Sequence, residues 1–485
     1  MTGRKISLCD KVYHFRKEKG SLFHQILAAR DTVNGKFGSC GGRGACGKCR
    51  VRFLKDAPLP SFADRKFLTP QELREGYRLA CTARPTMDCD VEICFIQEKK
   101  AEIVTISEAG KGTPETIEKG RGKLPQSEPR APGHLFCSVD IGTTTVAMQL
   151  VEKETGRILY TCAFQNPQRV YGVDVLARIT AAQEGKGSLL RELLLRELEK
   201  GLKELETVGR PEQVVLAGNT TMGHLLLGYP VESLGKAPFT PYHIGSSAFR
   251  LLDIPALFLP GVSAFIGADI VAGIYACGMA EREELSLFID LGTNGEMAVG
   301  NRDGLLCTAT AAGSAFEGDV SSQVIGTDMV SLADEMLKNG IMDETGLMDE
   351  PWFTEGYGTK GIRIRQQDIR SLQMAKAAVC AGAGILLERM GAWNKIDRVY
   401  LAGGFGYYLD VDKAADIGLI PDVLRGRCRA MGNTSLAGAR RYGMSEEKEK
   451  LERIIQISQS LNLARQPEFE ACYIDAMAFR RICPQ

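Results

Sequence analysis

Along the first hundred positions apolar residues come in short runs, and Ile6 to Phe15, Arg50 to Leu54 and Val91 to Ile96 read as strands. Two helix starts lie among them. The first begins at Ser21 and puts Leu22, Ile26 and Ala29 on one face; the second begins Thr69-Pro70-Gln71-Glu72, a capping box with proline at the first helical position. A small mixed α/β domain over residues 1–97 is expected. From Glu98 to Gly133 the chain turns to Lys, Glu, Gly, Ser, Thr and Pro with almost no large apolar side chains, which reads as a flexible linker. A coil of that length spans roughly 30–36 Å on average, enough to let the front domain visit more than one position. From His134 onward, apolar runs that end in Gly, Thr or Asn alternate with long helical patterns, among them a leucine-striped helix from Ser188, its expected cap, to about Glu206. Two strand-turn units resemble each other, Val139-Asp140-Ile141-Gly142-Thr143-Thr144-Thr145 and Ile289-Asp290-Leu291-Gly292-Thr293-Asn294-Gly295. A duplicated α/β fold is predicted, with halves at 134–285 and 286–485 and a cleft between them.

Composition changes this picture little. The 485 residues are 44% apolar and 25% charged, which excludes a wholly disordered chain. No apolar stretch approaches the roughly 18 residues of a membrane span, and the start MTGRKISLCD lacks the apolar core of a signal peptide, so a cytoplasmic location is expected. The 15 cysteines are odd in number and spread out, which favours metal binding over disulfides. The net charge of zero hides an asymmetry: residues 1–100 carry 20 Lys and Arg against 11 Asp and Glu. A basic front end suits an acidic protein partner or electron donor at low salt, although a solvated face with no partner reads equally well. Neither nucleic acid nor a membrane is expected as a partner.

The chemistry of the front domain lies in Gly38-Ser39-Cys40-Gly41-Gly42-Arg43-Gly44-Ala45-Cys46-Gly47-Lys48-Cys49, with a distant fourth cysteine at Cys81. Four thiolates can hold two irons, and glycines between them let backbone N–H groups turn toward the sulfurs. The C-x5-C-x2-C spacing is one residue longer than the plant-type pattern. A structural zinc site is the alternative, but it more often uses two C-x2-C pairs, and one is present here. Gly42 to Cys49 also mimics a phosphate-binding loop, except that cysteine stands where Ser or Thr must meet magnesium. Cys9, Cys89 and Cys94 complete no ligand set and read as small buried residues.

With no phosphate-binding loop elsewhere, a nucleotide must be held by other turns. Each Asp-x-Gly-Thr turn ends a strand in a carboxylate and then offers backbone N–H and hydroxyl groups to phosphate oxygens: Gly142, Thr143, Thr144 and Thr145 in one, Gly292, Thr293, Asn294 and Gly295 in the other. Asp140 and Asp290, opposed across a cleft, could hold Mg2+ through waters and position an attacking water. Two further turns follow, Leu216-Ala217-Gly218-Asn219-Thr220-Thr221 and Leu401-Ala402-Gly403-Gly404-Phe405-Gly406. Gly404 and Gly406 would let backbone approach an adenosine closely. Any one of these turns could be a plain structural loop; four in this order are more specific.

Residues 1–97 resemble a 2Fe-2S ferredoxin of the adrenodoxin-like, β-grasp type, and the resemblance implies that Cys40, Cys46, Cys49 and Cys81 are the cluster ligands. Residues 134–485 resemble the actin, Hsp70 and sugar-kinase superfamily, which implies an ATPase domain of duplicated, ribonuclease-H-like architecture. Within it the match narrows to reductive activators of corrinoid proteins, through Asp140 to Thr145, Ala217 to Thr221, Asp290 to Glu296, Gly313 to Gly318, Asp368 to Gly384 and Leu401 to Gly406. Larger members of that family carry an extra middle domain between ferredoxin and ATPase, where this chain is expected to have only the linker. Ser314 stands where the family's segment leads one to expect proline.

The resemblance implies an ATP-dependent oxidoreductase that passes an electron through a 2Fe-2S cluster to Co(II) of a corrinoid protein in a methyltransferase system, restoring Co(I). A low-potential electron donor is then required, and a homodimer is compatible with the sequence. Three other readings stand beside it. A small-molecule kinase with a redox domain would need an acceptor pocket that no motif identifies. An ATP-driven donor to another low-potential enzyme, such as an acyl-CoA dehydratase, would resemble a family whose cluster is bound by cysteines of the ATPase domain, and Cys137, Cys162, Cys277, Cys307, Cys380, Cys428, Cys472 and Cys483 form no close pair. A ferredoxin with a mere docking scaffold is the third. The five histidines show no metal spacing; His224 reads as structural, and Tyr407 and Tyr408 as core residues that could instead stack on a base.

Overall fold

The computed structural model describes residues 12–15, 22–28, 42, 44, 47, 49–94, 105, 107, 134–292, 294–313, 316, 326–358 and 363–482. Packing divides the chain into two units, Met1–Lys100 with Gln165–Leu194, and Ala101–Phe164 with Leu195–Gln485.

In the first unit four strands, β1 (Val12–Phe15), β2 (Arg50–Phe53), β3 (Tyr77–Leu79) and β4 (Cys89–Cys94), pair antiparallel in the order β1-β4-β2-β3. The first expected helix is Leu22–Ala28, and its Leu22 and Ile26 are fully buried with Val51, Leu79 and Val91. The expected capping box opens helix Pro70–Arg74: the Thr69 hydroxyl accepts from the Glu72 N–H (3.2 Å), and Glu72 Oε2 accepts from the Thr69 N–H (2.6 Å). The buried Glu72 also pairs with Arg50 on β2, which pins the helix to the sheet. A second box, Ser61 with Asp64, starts a helix Phe62–Phe67 that the hydrophobic pattern did not predict. The buried Asp64 further accepts from the Leu79 N–H (2.6 Å).

The second unit contains two six-stranded sheets. One has the order β7-β6-β5-β8-β10-β9, from β5 (Leu135–Ile141), β6 (Thr145–Glu152), β7 (Ile158–Gln165), β8 (Gln213–Gly218), β9 (Ser247–Leu251) and β10 (Ile254–Phe258). The other has the order β15-β14-β11-β12-β13-β16, from β11 (Ser286–Leu291), β12 (Gly295–Asn301), β13 (Gly304–Thr310), β14 (Arg398–Ala402), β15 (Cys428–Gly432) and β16 (Ser458–Ser460). The duplication seen in sequence is a duplication of topology. β5 and β11 each form a hairpin with the next strand, and each has a parallel strand on its other side, β8 and β14. In that register Asp140 lies between Ala147 and Ala217, and Asp290 between Glu296 and Ala402. Helix Thr434–Ser445, late in the chain, packs on β5, β8 and helix Ala268–Cys277. Gly438 permits this closeness, because a Cβ there would meet the Ala272 carbonyl oxygen at 2.1 Å.

The leucine-striped helix runs Gly187–Glu206, with Leu190, Leu194, Leu198 and Leu202 buried. Ser188 does not cap it. The backbone is already helical at Gly187, after a kink at Gly185 (φ +85°), so Ser188 falls inside the first turn and not at the cap. Of the expected linker, only Thr105 and Ser107 fall among the described residues. Both are tied to the second unit: the Thr105 carbonyl accepts from Gln149 Nε2 (3.0 Å), and Ser107 forms an antiparallel bridge with Gly432. Among the described residues no helix is long and apolar enough to cross a membrane.

Candidate functional site

Two sites arise from local sequence. In the front unit the cysteine loop is shaped by Gly42, Gly44 and Gly47, all with positive φ (84°, 71° and 66°). The first and last are also tightly packed, since a Cβ on Gly42 would meet Phe23 at 2.8 Å and one on Gly47 would meet Phe67 at 2.8 Å. Left-handed glycines between cysteines would let backbone N–H groups turn toward the sulfurs of a thiolate cluster. Cys49 and Cys81 are both buried near this loop; Cys40 and Cys46 lie outside the described residues. Two buried thiols beside a glycine cradle fit an iron–sulfur cluster. Cys89 is buried in β4 and its thiol is pushed up by burial, as expected of a packing residue; Cys9 and the Cys94 side chain lie outside the described residues.

In the second unit the four turns converge. The side chain of Asn219, which caps helix Thr220–Leu227 by accepting from the Met222 N–H (2.9 Å), donates Nδ2–H to the Thr143 hydroxyl (2.9 Å). This joins the turn after β8 to the turn after β5, where Gly142, Thr143, Thr144 and Thr145 sit. Thr220 donates to the Ser263 carbonyl (2.7 Å). The turn after β14 is joined to β11 in the same way: Gly403 has φ +81°, and a Cβ there would meet Asp290 Oδ1 at 2.7 Å and the Leu291 carbonyl oxygen at 2.6 Å. Gly404 is exposed and Gly406 buried; Gly292 and Asn294 are half-buried and Gly295 buried, while Thr293 lies outside the described residues. The Phe405 ring stacks on Phe316 (4.5 Å) in the core. Of the two tyrosines that follow, Tyr408 is exposed, not packed in the core.

The carboxylates define the electrostatics. Each keeps part of its surface open to water, yet protein surrounds it. Burial pushes Asp290 up to about 7, with Asp269 and Asp140 adding like charge. Burial and Asp140 push Asp269 up to about 7, and Glu296 is pushed well up by burial, Asp269 and Asp290. Asp140 is raised by burial, but Ser435 and Asn433 oppose the shift: Ser435 Oγ donates to Oδ1 (2.7 Å) and Asn433 Nδ2 to Oδ2 (2.8 Å). Like-charged groups so placed repel one another, and a divalent cation among them would relieve the repulsion. Among the described residues no trio of His, Cys, Asp and Glu is close enough to ligate a metal directly, so Mg2+ here would be held through waters.

Sequence reasoning gave no role to Asp269, Glu296, Asn433 or Ser435. Glu296 had a signal, since a three-residue turn after Leu291 places it directly opposite Asp290 on the hairpin. Asn433 and Ser435 had none, being 293 and 295 residues from Asp140 in sequence.

Other candidates are structural. His224 is buried and its Nδ1 faces the Thr220 carbonyl (2.8 Å); burial lowers its pKa. Cys137, Cys162, Cys307 and Cys380 are buried thiols raised by burial, the last three to about 12, and Cys472 is exposed.

Comparison with known proteins finds relatives of both parts of the chain. A family model for the 2Fe-2S iron-sulfur cluster binding domain matches residues 24–86. A model of the RACo middle region matches 136–282, and one of the C-terminal domain of RACo, the ASKHA domain, matches 284–323 and 321–483. The middle-region match falls on the part that contains β5 to β10, which the sequence reads as the first ATPase half. Corrinoid activation enzyme RamQ of Eubacterium limosum is 28% identical over 427 residues, covering 72% of this chain and 71% of that protein. A Co(II) methylated amine-specific corrinoid protein reductase of Methanosarcina barkeri is 22% identical over 397 residues, covering 67% and 72%. The solved structure of a reductive activator for corrinoid, iron-sulfur protein superposes with a TM-score of 0.65 at 25% identity, covering 96% of each chain. With a cluster-binding loop in front, four converging turns behind and family matches that span both, the chain belongs to the reductive activators of corrinoid proteins, a 2Fe-2S ferredoxin domain joined to an actin-like ATPase fold.

Proposed function

We propose that this protein uses ATP to drive one electron from its 2Fe-2S cluster onto Co(II) of a corrinoid protein, regenerating the Co(I) state needed for methyl transfer. The observation that carries this reading is the covalent union of a cysteine cradle with a carboxylate-lined cleft between duplicated β5 and β11 turns. A cluster at Cys40, Cys46, Cys49 and Cys81 supplies a one-electron couple at roughly −400 mV, which makes reduction of a lower-potential cobalt uphill. Nucleotide binding assists such a step only by favouring one conformation of the complex over another.

The residues divide the work. Backbone of the Gly142–Thr145 and Gly292–Gly295 turns faces the phosphates, and the Gly403–Gly406 turn approaches the adenosine. Asp140 and Asp290 would hold Mg2+ through waters and would orient the water that attacks the terminal phosphate, while Asn219 braces the first turn. The domains are taken as 1–97, a linker at 98–133, and ATPase halves at 134–285 and 286–485. A low-potential protein supplies the electron, and the basic front end suits an acidic one. Buried thiols such as Cys137, Cys162, Cys307 and Cys380 and a cluster of this kind suit the reducing cytoplasm. A homodimer is compatible with this arrangement.

Mixing Co(II) corrinoid protein with a chemical reductant and catalytic amounts of this protein tests the reading. Co(I) absorbance should grow only with ATP present and should be lost in Cys81→Ser, whose ATP hydrolysis persists. Co(I) formation by Cys81→Ser at the wild-type rate would overturn the assignment of the cluster as the electron's route.

A further inference from the structure

The tether between the two domains is stitched to both sheets of the ATPase at one place. Gln149, 2% exposed on β6, donates to the Thr105 carbonyl (3.0 Å), and it lies opposite Ser138, two residues before Asp140 on β5. Two residues further along the tether, Ser107 pairs with Gly432, the last residue of β15. Gly432 has φ +71°, so it forms the left-handed corner at which β15 turns into helix Thr434–Ser445.

The next residues after that corner hold Asp140. Asn433 donates to one carboxylate oxygen (2.8 Å) and Ser435 to the other (2.7 Å), which fixes both the plane and the direction of the group. Asn433 is itself fixed, because its Oδ1 accepts from the Leu436 N–H (2.8 Å). The helix behind is packed against Ala272 too closely to admit a side chain at Gly438. A small displacement of Gly432 must therefore move Asn433 relative to Asp140 and cannot be absorbed within the helix.

We propose that Asn433 and Ser435 are positioning residues for Asp140, and that pairing of Ser107 with Gly432 sets their alignment, so that the tether to the ferredoxin domain is coupled to ATP hydrolysis. This rests on the proposed reading of Asp140 as a working carboxylate of the cleft.

The test is steady-state ATP hydrolysis by the full-length, cluster-loaded protein. Hydrogen bonds to a charged group of this kind set the scale: Ser435→Ala and Asn433→Ala should each lower kcat by about tenfold or more while KM for ATP moves less than about twofold. Ser435→Thr, which keeps the hydroxyl, should recover most of the rate. Ser107→Pro, which cannot keep the bridge, should lower kcat by about threefold or more and add nothing further in an Asn433→Ala background, because both changes act through one contact. Gln149→Met removes the other stitch at nearly constant volume and should act in the same direction, which keeps the test sound if the proline variant is poorly folded. Independent, multiplicative losses in the double variant, or wild-type kcat in both Ser107→Pro and Gln149→Met, would overturn the coupling. A change in KM with kcat preserved in Ser435→Ala would overturn the positioning role. Absence of ATP hydrolysis in the wild type would instead remove the reading of the cleft beneath it.

Discussion

Replacing Asp269 by asparagine should stabilise the nucleotide-free protein at pH 8, and by less than half as much at pH 5. Asp269 and Asp290 are both held up at about 7, by burial first and by each other and Asp140 next. In the unfolded chain each would titrate near its ordinary value of 3.8. Between those values the folded protein binds more protons than the unfolded one, so the stability these groups contribute is complete below about pH 4 and is lost as pH rises through 7. Roughly three pH units at about 1.4 kcal/mol each set a ceiling of about 4 kcal/mol for Asp269. Water reaching the half-open cleft screens part of this, and about 2 kcal/mol is the expected gain in Asp269→Asn at pH 8. Shape and hydrogen bonding are kept, because the Ile270 N–H that donates to Asp269 Oδ1 (2.9 Å) can donate equally to an amide oxygen. The assay is thermal unfolding in EDTA at pH 5, 6, 7 and 8, with the ferredoxin part followed separately by its visible absorbance. A rise of a few degrees at pH 8 is expected for the variant, together with a smaller stabilisation by Mg2+ and ATP than the wild type shows. A wild-type midpoint that climbs steadily from pH 5 to 7, or a variant less stable than wild type at pH 8, would refute the reasoning.

Three further outcomes follow from the two sites. Anaerobically purified protein should contain about two irons and two acid-labile sulfides per chain, measured colorimetrically, as one four-cysteine set requires; stoichiometric zinc would contradict the cradle's assignment. Gly403→Ala forces a Cβ against Asp290 at a positive φ, so nucleotide affinity by calorimetry should fall at least about tenfold with the cluster spectrum unchanged. Glu72→Gln breaks a buried pair with Arg50 and weakens a capping box; the ferredoxin domain should lose about 3 kcal/mol by denaturant titration, with ATP hydrolysis retained.

Much of the fold was legible because its signals are local. Thr69 to Glu72 announced a helix, and the two Asp-x-Gly-Thr turns announced a duplication that the sheets reproduce around β5 and β11, although β9 and β16 join opposite edges. The Ser61 box was less visible because Asp64 replaces the usual Glu and the helix it starts is only six residues long. Ser188 misled because the helical backbone already includes Gly187 after the kink at Gly185, so the serine falls inside the first turn. Asp269, Asn433 and Ser435 were invisible for a different reason. Each meets Asp140 or its neighbours through tertiary packing, across 129 to 295 residues of chain, and no periodicity or spacing encodes such a meeting.

The central claim is that ATP in the cleft drives the electron that leaves the cluster. Asp290→Ala removes a carboxylate from the cleft and leaves the cysteine loop untouched, so the variant should keep a reducible cluster. An anaerobic spectrophotometric titration of Co(II) corrinoid protein with reductant, with and without ATP, measures what remains. The account predicts ATP-dependent formation of Co(I) by the wild type and none above the ATP-free level by Asp290→Ala; equal Co(I) yields from the two proteins would contradict it.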